Sequence, residues 1–371
     1  MVLLKNRDFK LYHIFKPFSF LYGIGVRIRN LLFSWHLLPS QQYPVPVICI
    51  GNLAVGGTGK TPLVEYLIRL LSSKYRIAVL SRGYKRKSFG FILADEKSTA
   101  TEIGDEPYQM KSKFPGVIVA VDKDRRKGMQ KLLDLPEGQR PQVVLLDDAF
   151  QHRYVQPSLS IIVTDYNRLY YKDKLMPVGR LREPASGIRR ANMVVISKTN
   201  ASLRPIDSRI IENEMNLKFY QPSFFTTITY QQMESVYAGE SCSRSLSGLK
   251  KEDRILLLTG VANPALLIKE VKKYSDYVTV LSFPDHHDFT KKDIEKIHSE
   301  LLKMNAENPL IICTEKDAAR IRNNDFFPVE WKSDFYYVPI KIQFLFDKGG
   351  QFDEVIFKHI ETIVNRSILR Q

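Results

Sequence analysis

Between positions 50 and 62 the chain reads Ile-Gly-Asn-Leu-Ala-Val-Gly-Gly-Thr-Gly-Lys-Thr-Pro, after an apolar run and before a helical pattern, LVEYLIRLL. A phosphate-binding loop requires this order of strand, loop and helix. Gly56, Gly57 and Gly59 let backbone N–H groups converge on phosphate oxygens. Lys60 supplies a point charge to β and γ phosphates, and Thr61 can place its hydroxyl on Mg²⁺. Ala54 stands where the G-x-x-x-x-G-K-[ST] pattern has its first glycine, while the GGTGKT core is intact. The competing reading is a glycine-rich turn that binds nothing, and the flanking strand and helix weigh against it.

A second group of residues follows the apolar run 143–146, which ends in Asp147-Asp148. A carboxylate at the C-terminal end of a parallel strand can reach a nucleotide-bound Mg²⁺. Gln151, His152 and Arg153 come next and would share that edge; without the glycine-rich loop they would read as a solvated turn. Polar residues also crowd beside Gly and Pro in SRGY (81–84), GDEP (104–107) and RLREP (180–184). FPDHHDF (283–289) and TEKD (314–317) each follow an apolar run further on. His286 and His287 lack the further ligands a metal site needs. Taken alone, His286 is a loop or capping histidine, and its place in a cleft between two lobes is what would make it catalytic.

The elements that must carry these residues are legible from hydrophobic pattern. Apolar runs at 45–50, 76–81, 116–121, 143–146, 159–163 and 193–197 alternate with helix-compatible segments, which predicts parallel strands joined by crossover helices. The aromatic and β-branched stretch 219–230 predicts a β-ribbon or linker. Strands at 255–259, 277–281, 310–313 and 335–339, with helices at 264–273 and 291–303, predict a second α/β lobe. The expected division is an N-terminal segment 1–40, a P-loop NTPase-like layered domain 41–215, a ribbon linker 216–240 and a smaller lobe 241–371. A cleft between lobes is a natural place for chemistry.

The 371 residues are 44% hydrophobic, enough for a real core, and carry a formal net charge of +15, which calls for an anionic partner. Three widely spaced cysteines, two of them inside apolar runs, predict reduced thiols and neither a disulfide frame nor a zinc site. Before residue 40, Lys5, Arg7, Lys10, Lys16, Arg27 and Arg29 face only Asp8. The longest uncharged run there, 17–26, is far shorter than the roughly 20 residues of a spanning helix, and no signal-peptide cleavage site follows it. An amphipathic helix is expected from Pro17, with Phe18, Leu21, Gly25, Ile28, Leu32 and Trp35 on one stripe and basic residues beside it. That stripe would either pack on the domain behind it or enter a membrane interface.

GNLAVGGTGKTP, SRGYKRK, GDEP, LDDAFQHR, GRLREP, FPDHHDF and TEKDAAR, in this order, resemble the tetraacyldisaccharide 4′-kinase family of lipid A biosynthesis, from the N-terminal helix to about residue 320. The resemblance implies transfer of the ATP γ-phosphoryl group to the 4′-hydroxyl of an acylated glucosamine disaccharide 1-phosphate. The setting it implies is the cytoplasmic face of the inner membrane, with peripheral contact to acidic lipid. By position, Lys60 and Thr61 would hold phosphates and Mg²⁺, Asp147 and Asp148 would complete the metal shell, and Thr58 and Gln151 would assist. Asp105 would pair with His286 so that the 4′-hydroxyl can be deprotonated. Arg125, Arg182 and Glu183 would contact phosphate or metal, and Tyr84 would wall the nucleotide or the sugar. A monomer without nucleic acid is expected. The alternatives are a P-loop GTPase switch or metallochaperone, with TEKD or ISKT imitating a guanine-reading loop, and a nucleic-acid-dependent ATPase, for which no helicase-like motif is present.

Overall fold

The computed structural model describes residues 2–237, 243–261, 264–285, 287–306, 308–322, 324 and 326–368, with side chains from Phe15 to Asn365. The first lobe contains α1 (Val2–Ser34), β1 (Val47–Gly51), α2 (Lys60–Leu71), β2 (Ile77–Ser81), β3 (Ile92–Leu93), α3 (Ala100–Ile103) and α4 (Asp105–Lys113). It continues with β4 (Ile118–Val121), α5 (Arg125–Leu133), β5 (Val143–Asp147), β6 (Leu159–Asp165), β7 (Met193–Ser197), α6 (Pro205–Met215) and β8 (Ser223–Tyr230). The second lobe holds β9 (Glu234–Ser235), β10 (Arg254–Thr259), α7 (Ala265–Val271), β11 (Tyr277–Ser282), α8 (Lys291–Lys303), β12 (Leu310–Thr314), α9 (Glu315–Ile321) and β13 (Phe335–Val338). Last come β14 (Ile340–Phe344) and α10 (Gly349–Ile368).

The larger sheet has the order β14-β8-β7-β6-β1-β5-β2-β4-β3, parallel from β8 to β4 and antiparallel at each edge. Its central strands are apolar on both faces because both faces are covered. Ile48 and Ile50 pack with Leu63 and Leu67 of α2, while Val47 and Cys49 face the opposite layer with Met129 of α5. The second sheet, β11-β10-β12-β13-β9, is parallel except at β9. Cys49 and Cys313 are buried free thiols, and Cys242 lies outside the described residues.

Two expectations are corrected. The helix does not begin at Pro17: α1 runs from Val2 with Pro17 inside it. Residues 340–368 do not belong to the smaller lobe. β14 pairs antiparallel with β8, and Phe352, Ile356 and Ile360 of α10 lie in the core of the larger sheet. Amphipathic periodicity shows that a helix has a buried face but not which sheet covers it. β8 pairs with β7 only over 194–196, and its far half pairs with β14 alone, as far as Tyr230 opposite Ile340. Two strands therefore bridge the lobes where a single linker was expected.

The return of α10 rests on an aromatic cluster: the Phe352 ring lies 4.6 Å from Phe344, 5.2 Å from Phe224 and 5.9 Å from Tyr66. Phe352→Ala is expected to cost about 3–5 kcal/mol of stability, measured by denaturant unfolding. A loss well below that range would mean that α10 contributes little to the first lobe.

Candidate active site

The core of the candidate site hangs from the C-terminal edge of the larger sheet, where parallel strands deliver their loops to one side. Gly51 ends β1 and Lys60 opens α2, so the loop between them lies at a helix N-terminus. Gly59 sits at φ 85°, in the left-handed region, and a Cβ there would come within 3.0 Å of Ser197 Oγ. Both facts call for glycine. The loop is braced from inside: Asn52 Nδ2 donates to Thr58 Oγ1 at 2.9 Å, Ser197 Oγ donates to the Thr58 carbonyl at 2.6 Å, and Lys198 Nζ donates to the Gly57 carbonyl. Lys198 also pairs with Asp165 at 2.8 Å, so the ISKT segment serves as a strut of this loop. Ala54 bridges to Leu181, and the Val55 N–H donates to the Arg180 carbonyl, which ties the RLREP segment alongside.

Asp148 follows β5 with φ 48° and pairs with Lys60 at 3.4 Å. Arg182 Nη1 donates to both of its oxygens at 3.0 Å. Burial raises the pKa of Asp148, but Lys60 and Arg182 outweigh it and hold the carboxyl below its ordinary value. Asp147 is the opposite case. It is 2% exposed, Ser81 Oγ donates to its Oδ2 at 3.2 Å, and its Oδ1 is buried with no hydrogen-bond partner. Burial, then Glu106, then Asp148 push it up to about 7. A buried carboxylate oxygen without a donor, beside a second acid and the Lys60 end of α2, suits a hard divalent cation. Among the described residues no three His, Cys, Asp or Glu side chains form a ready cage. Mg²⁺ commonly takes one or two carboxylates and fills the rest of its shell with phosphate and water.

Glu183 and Gln151 form the next layer. Glu183 is 1% exposed and pairs with Arg190. Gln151 Nε2 donates to Glu183 Oε1 at 2.9 Å and to the Asn52 carbonyl at 2.8 Å. Glu183 is thus committed to Arg190 and Gln151. Arg125 is buried below the two acids, where its guanidinium donates to the carbonyls of Lys123 and Asp148. His152, pushed down to about 4 by burial and by Arg125, is neutral near pH 7. Tyr84 lies 57% exposed in the loop after β2. Asp105 opens α4 and is held by Arg320 of the second lobe, at 2.6 Å from Nη2 and 3.2 Å from Nε. His286 lies outside the described residues.

The family model described as tetraacyldisaccharide-1-P 4′-kinase matches residues 11–361. The chain belongs to that family. A tetraacyldisaccharide 4′-kinase of Parabacteroides distasonis is 53% identical over 369 residues, covering 99% of this chain and all of its own. That of Bacteroides thetaiotaomicron is 46% identical and covers 95% of this chain and 94% of its own. Among solved structures, LpxK from Aquifex aeolicus in complex with ATP is 30% identical with a TM-score of 0.72, over 94% of this chain and 99% of that one.

Several residues that shape this kinase site went unassigned at the sequence level although their motifs were noticed. Ser81 of SRGY and Glu106 of GDEP both act on Asp147, and Arg320 of TEKDAAR holds Asp105. Tyr22, Arg29 and Asn30 of α1 also reach the site: Tyr22 donates to the Arg182 carbonyl at 2.6 Å, Arg29 to the Gln151 carbonyl at 3.0 Å and Asn30 to Glu183 at 3.4 Å. Only the density of polar residues in those motifs signalled them, since direction depends on tertiary placement.

Asp147 makes stability depend on pH. Its folded-state pKa lies above the ordinary 3.8, so the stability it contributes is present in full below that value and lost as pH rises through about 7. The metal-free protein should therefore melt at falling temperature across this window. Mg²⁺ with ATP should restore stability most at the upper end, where the carboxylate is ionised. Calorimetry of the native protein and of Asp147→Asn checks this; an unchanged slope in the variant would exclude Asp147 as its origin.

Proposed function

We propose that the P-loop, the Asp147–Asp148 pair and the N-terminal end of α4 form one centre that passes the γ-phosphoryl group of ATP to the 4′-hydroxyl of tetraacyldisaccharide 1-phosphate. The observation that carries this reading is the 3.4 Å pair between Lys60 and Asp148, which joins the phosphate loop to the acids of β5. In this reading Gly56, Gly57, Thr58 and Gly59 cradle phosphate oxygens, and Lys60 turns from Asp148 to the β and γ phosphates. Thr61, Asp147 and Asp148 would hold Mg²⁺, which when bound neutralises the charge that develops on the phosphates. Arg182 stays on Asp148 and keeps it ionised, while Glu183 and Gln151 fix the RLREP loop. Asp105 orients the imidazole of His286, which accepts the 4′-hydroxyl proton as that oxygen attacks the γ-phosphorus and ADP leaves.

The acceptor is an acidic lipid, and α1 has the surface for one. Phe18, Leu21, Ile28 and Trp35 of the expected stripe are 58%, 63%, 53% and 65% exposed, with Phe20 at 66% beside them. The other side of the helix is taken by Phe33, by the bonds of Tyr22, Arg29 and Asn30, and by Ser19 donating to the Leu175 carbonyl. No helix among the described residues is long and apolar enough to cross a membrane. A peripheral seat on the acidic cytoplasmic face of the inner membrane fits this division, with the basic flank toward lipid phosphates.

Purified protein with Mg²⁺, labelled ATP and tetraacyldisaccharide 1-phosphate in micelles should label the lipid. Lys60→Ala should lose both label and nucleotide affinity. His286→Ala and Asp105→Asn should slow transfer by about 10²- to 10⁴-fold with ATP binding intact. Intact protein that hydrolyses GTP and labels no lipid would favour a nucleotide switch instead. In flotation assays the protein should bind anionic vesicles and lose much of that binding in Phe18→Ser/Leu21→Ser; equal binding by the variant would remove α1 from the contact.

A further inference from the structure

Contact between the lobes centres on α4 and α9, which meet in opposite directions. Asp105 at the start of α4 faces Arg320 near the end of α9, and Lys113 at the end of α4 pairs with Glu315 at the start of α9. The two ends are built differently. Lys113 is also shared with Glu65 of α2, at 2.7 Å, and so extends the contact to the helix behind the P-loop.

Arg320 is 4% exposed and works as a fork. Its Nη2 and Nε point to Asp105 Oδ2, while Nη1 lies 3.3 Å from Asp317 Oδ1. Asp317 is fully buried, accepting from the Gly260 N–H at 2.9 Å and from Thr314 Oγ1 at 2.7 Å. A Cβ on Gly260 would lie 2.6 Å from Asp317 Oδ1, so close an approach that glycine is required. Gly260 follows β10 and Thr314 ends β12, two adjacent strands of the second sheet. A contact that merely held the lobes together would not need a buried carboxylate locked to two strand ends behind it. A lysine could supply the charge but not the fixed geometry toward two carboxylates at once.

We infer that Arg320 is a positioning residue of the phosphoryl-transfer centre, carrying the register of β10 and β12 through Asp317 to the carboxylate of Asp105. This rests on the reading of Asp105 given above. Displacement of a catalytic group by about 1 Å can cost about 10²-fold in rate, so a rigid fork at this point acts on turnover, not on nucleotide affinity.

Full-length Arg320→Lys, Asp105→Asn, the double variant and Lys113→Met should be compared for kcat, both KM values and equilibrium ATP binding. Arg320→Lys is expected to lower kcat by about 10- to 100-fold with ATP binding unchanged. The double variant should fall no further than Asp105→Asn, as coupled residues do. Lys113→Met should keep its kcat. If Arg320→Lys fails to fold, Thr314→Val, which removes both the hydroxyl bond to the Asp317 carboxylate and the cap on the Asp317 N–H, should lower kcat by roughly 5-fold; unchanged kcat there overturns the inference. Wild-type turnover in Arg320→Lys with loss in Asp105→Asn also overturns it and leaves the Asp105 reading standing. Wild-type turnover in Asp105→Asn overturns that reading itself. Equal losses in Lys113→Met and Arg320→Lys would assign both to lobe contact and overturn the positioning role.

Discussion

Asp148 is the point on which the rest of the site leans. It follows a parallel strand in the left-handed region, with Lys60 on one side and both oxygens on Arg182. That single carboxylate joins three segments distant in sequence: the phosphate loop, the end of β5 and the RLREP loop. Its neighbour Asp147 is left deep, with one oxygen unsatisfied and its pKa raised by burial and by Glu106. Two adjacent acids with pKa values shifted in opposite directions follow from where the cations lie. Lysine and arginine face one, and a second acid and a hydroxyl face the other.

The N-terminal helix couples the centre to whatever lies outside it. Tyr22, Arg29 and Asn30 point inward and donate to the carbonyls of Arg182 and Gln151 and to the carboxylate of Glu183. On the outer side the large apolar residues are exposed. The helix is therefore amphipathic in an inverted sense: its polar groups meet the protein and many of its apolar ones do not. A surface helix of an ordinary globular domain has the reverse arrangement.

The second lobe is held by two kinds of linkage. Covalently, β8 and β14 cross together as an antiparallel pair, and the chain returns to close the core of the first lobe with α10. Non-covalently, α9 presents Arg320 and Glu315 to the two ends of α4, one to Asp105 and one to Lys113 beside α2. Asp105 consequently belongs to the first lobe by chain and to both lobes by contact.

Read from the sequence alone, the strand, loop, helix order around Lys60, the acids after β5, the two α/β lobes and the family were all legible. Each is set by short-range facts: residue type, hydrophobic period and order along the chain. The direction of each side chain was not. Glu106 lies near enough to raise the pKa of Asp147 while the adjacent Asp105 pairs with Arg320, and large apolar residues of the stripe from Phe18 to Trp35 are exposed. β14 and α10 chose the first lobe because Phe352 finds Phe224, Phe344 and Tyr66 there. Periodicity records that a face must be covered, and packing between segments far apart in sequence decides by what; only the tertiary structure contains that second fact.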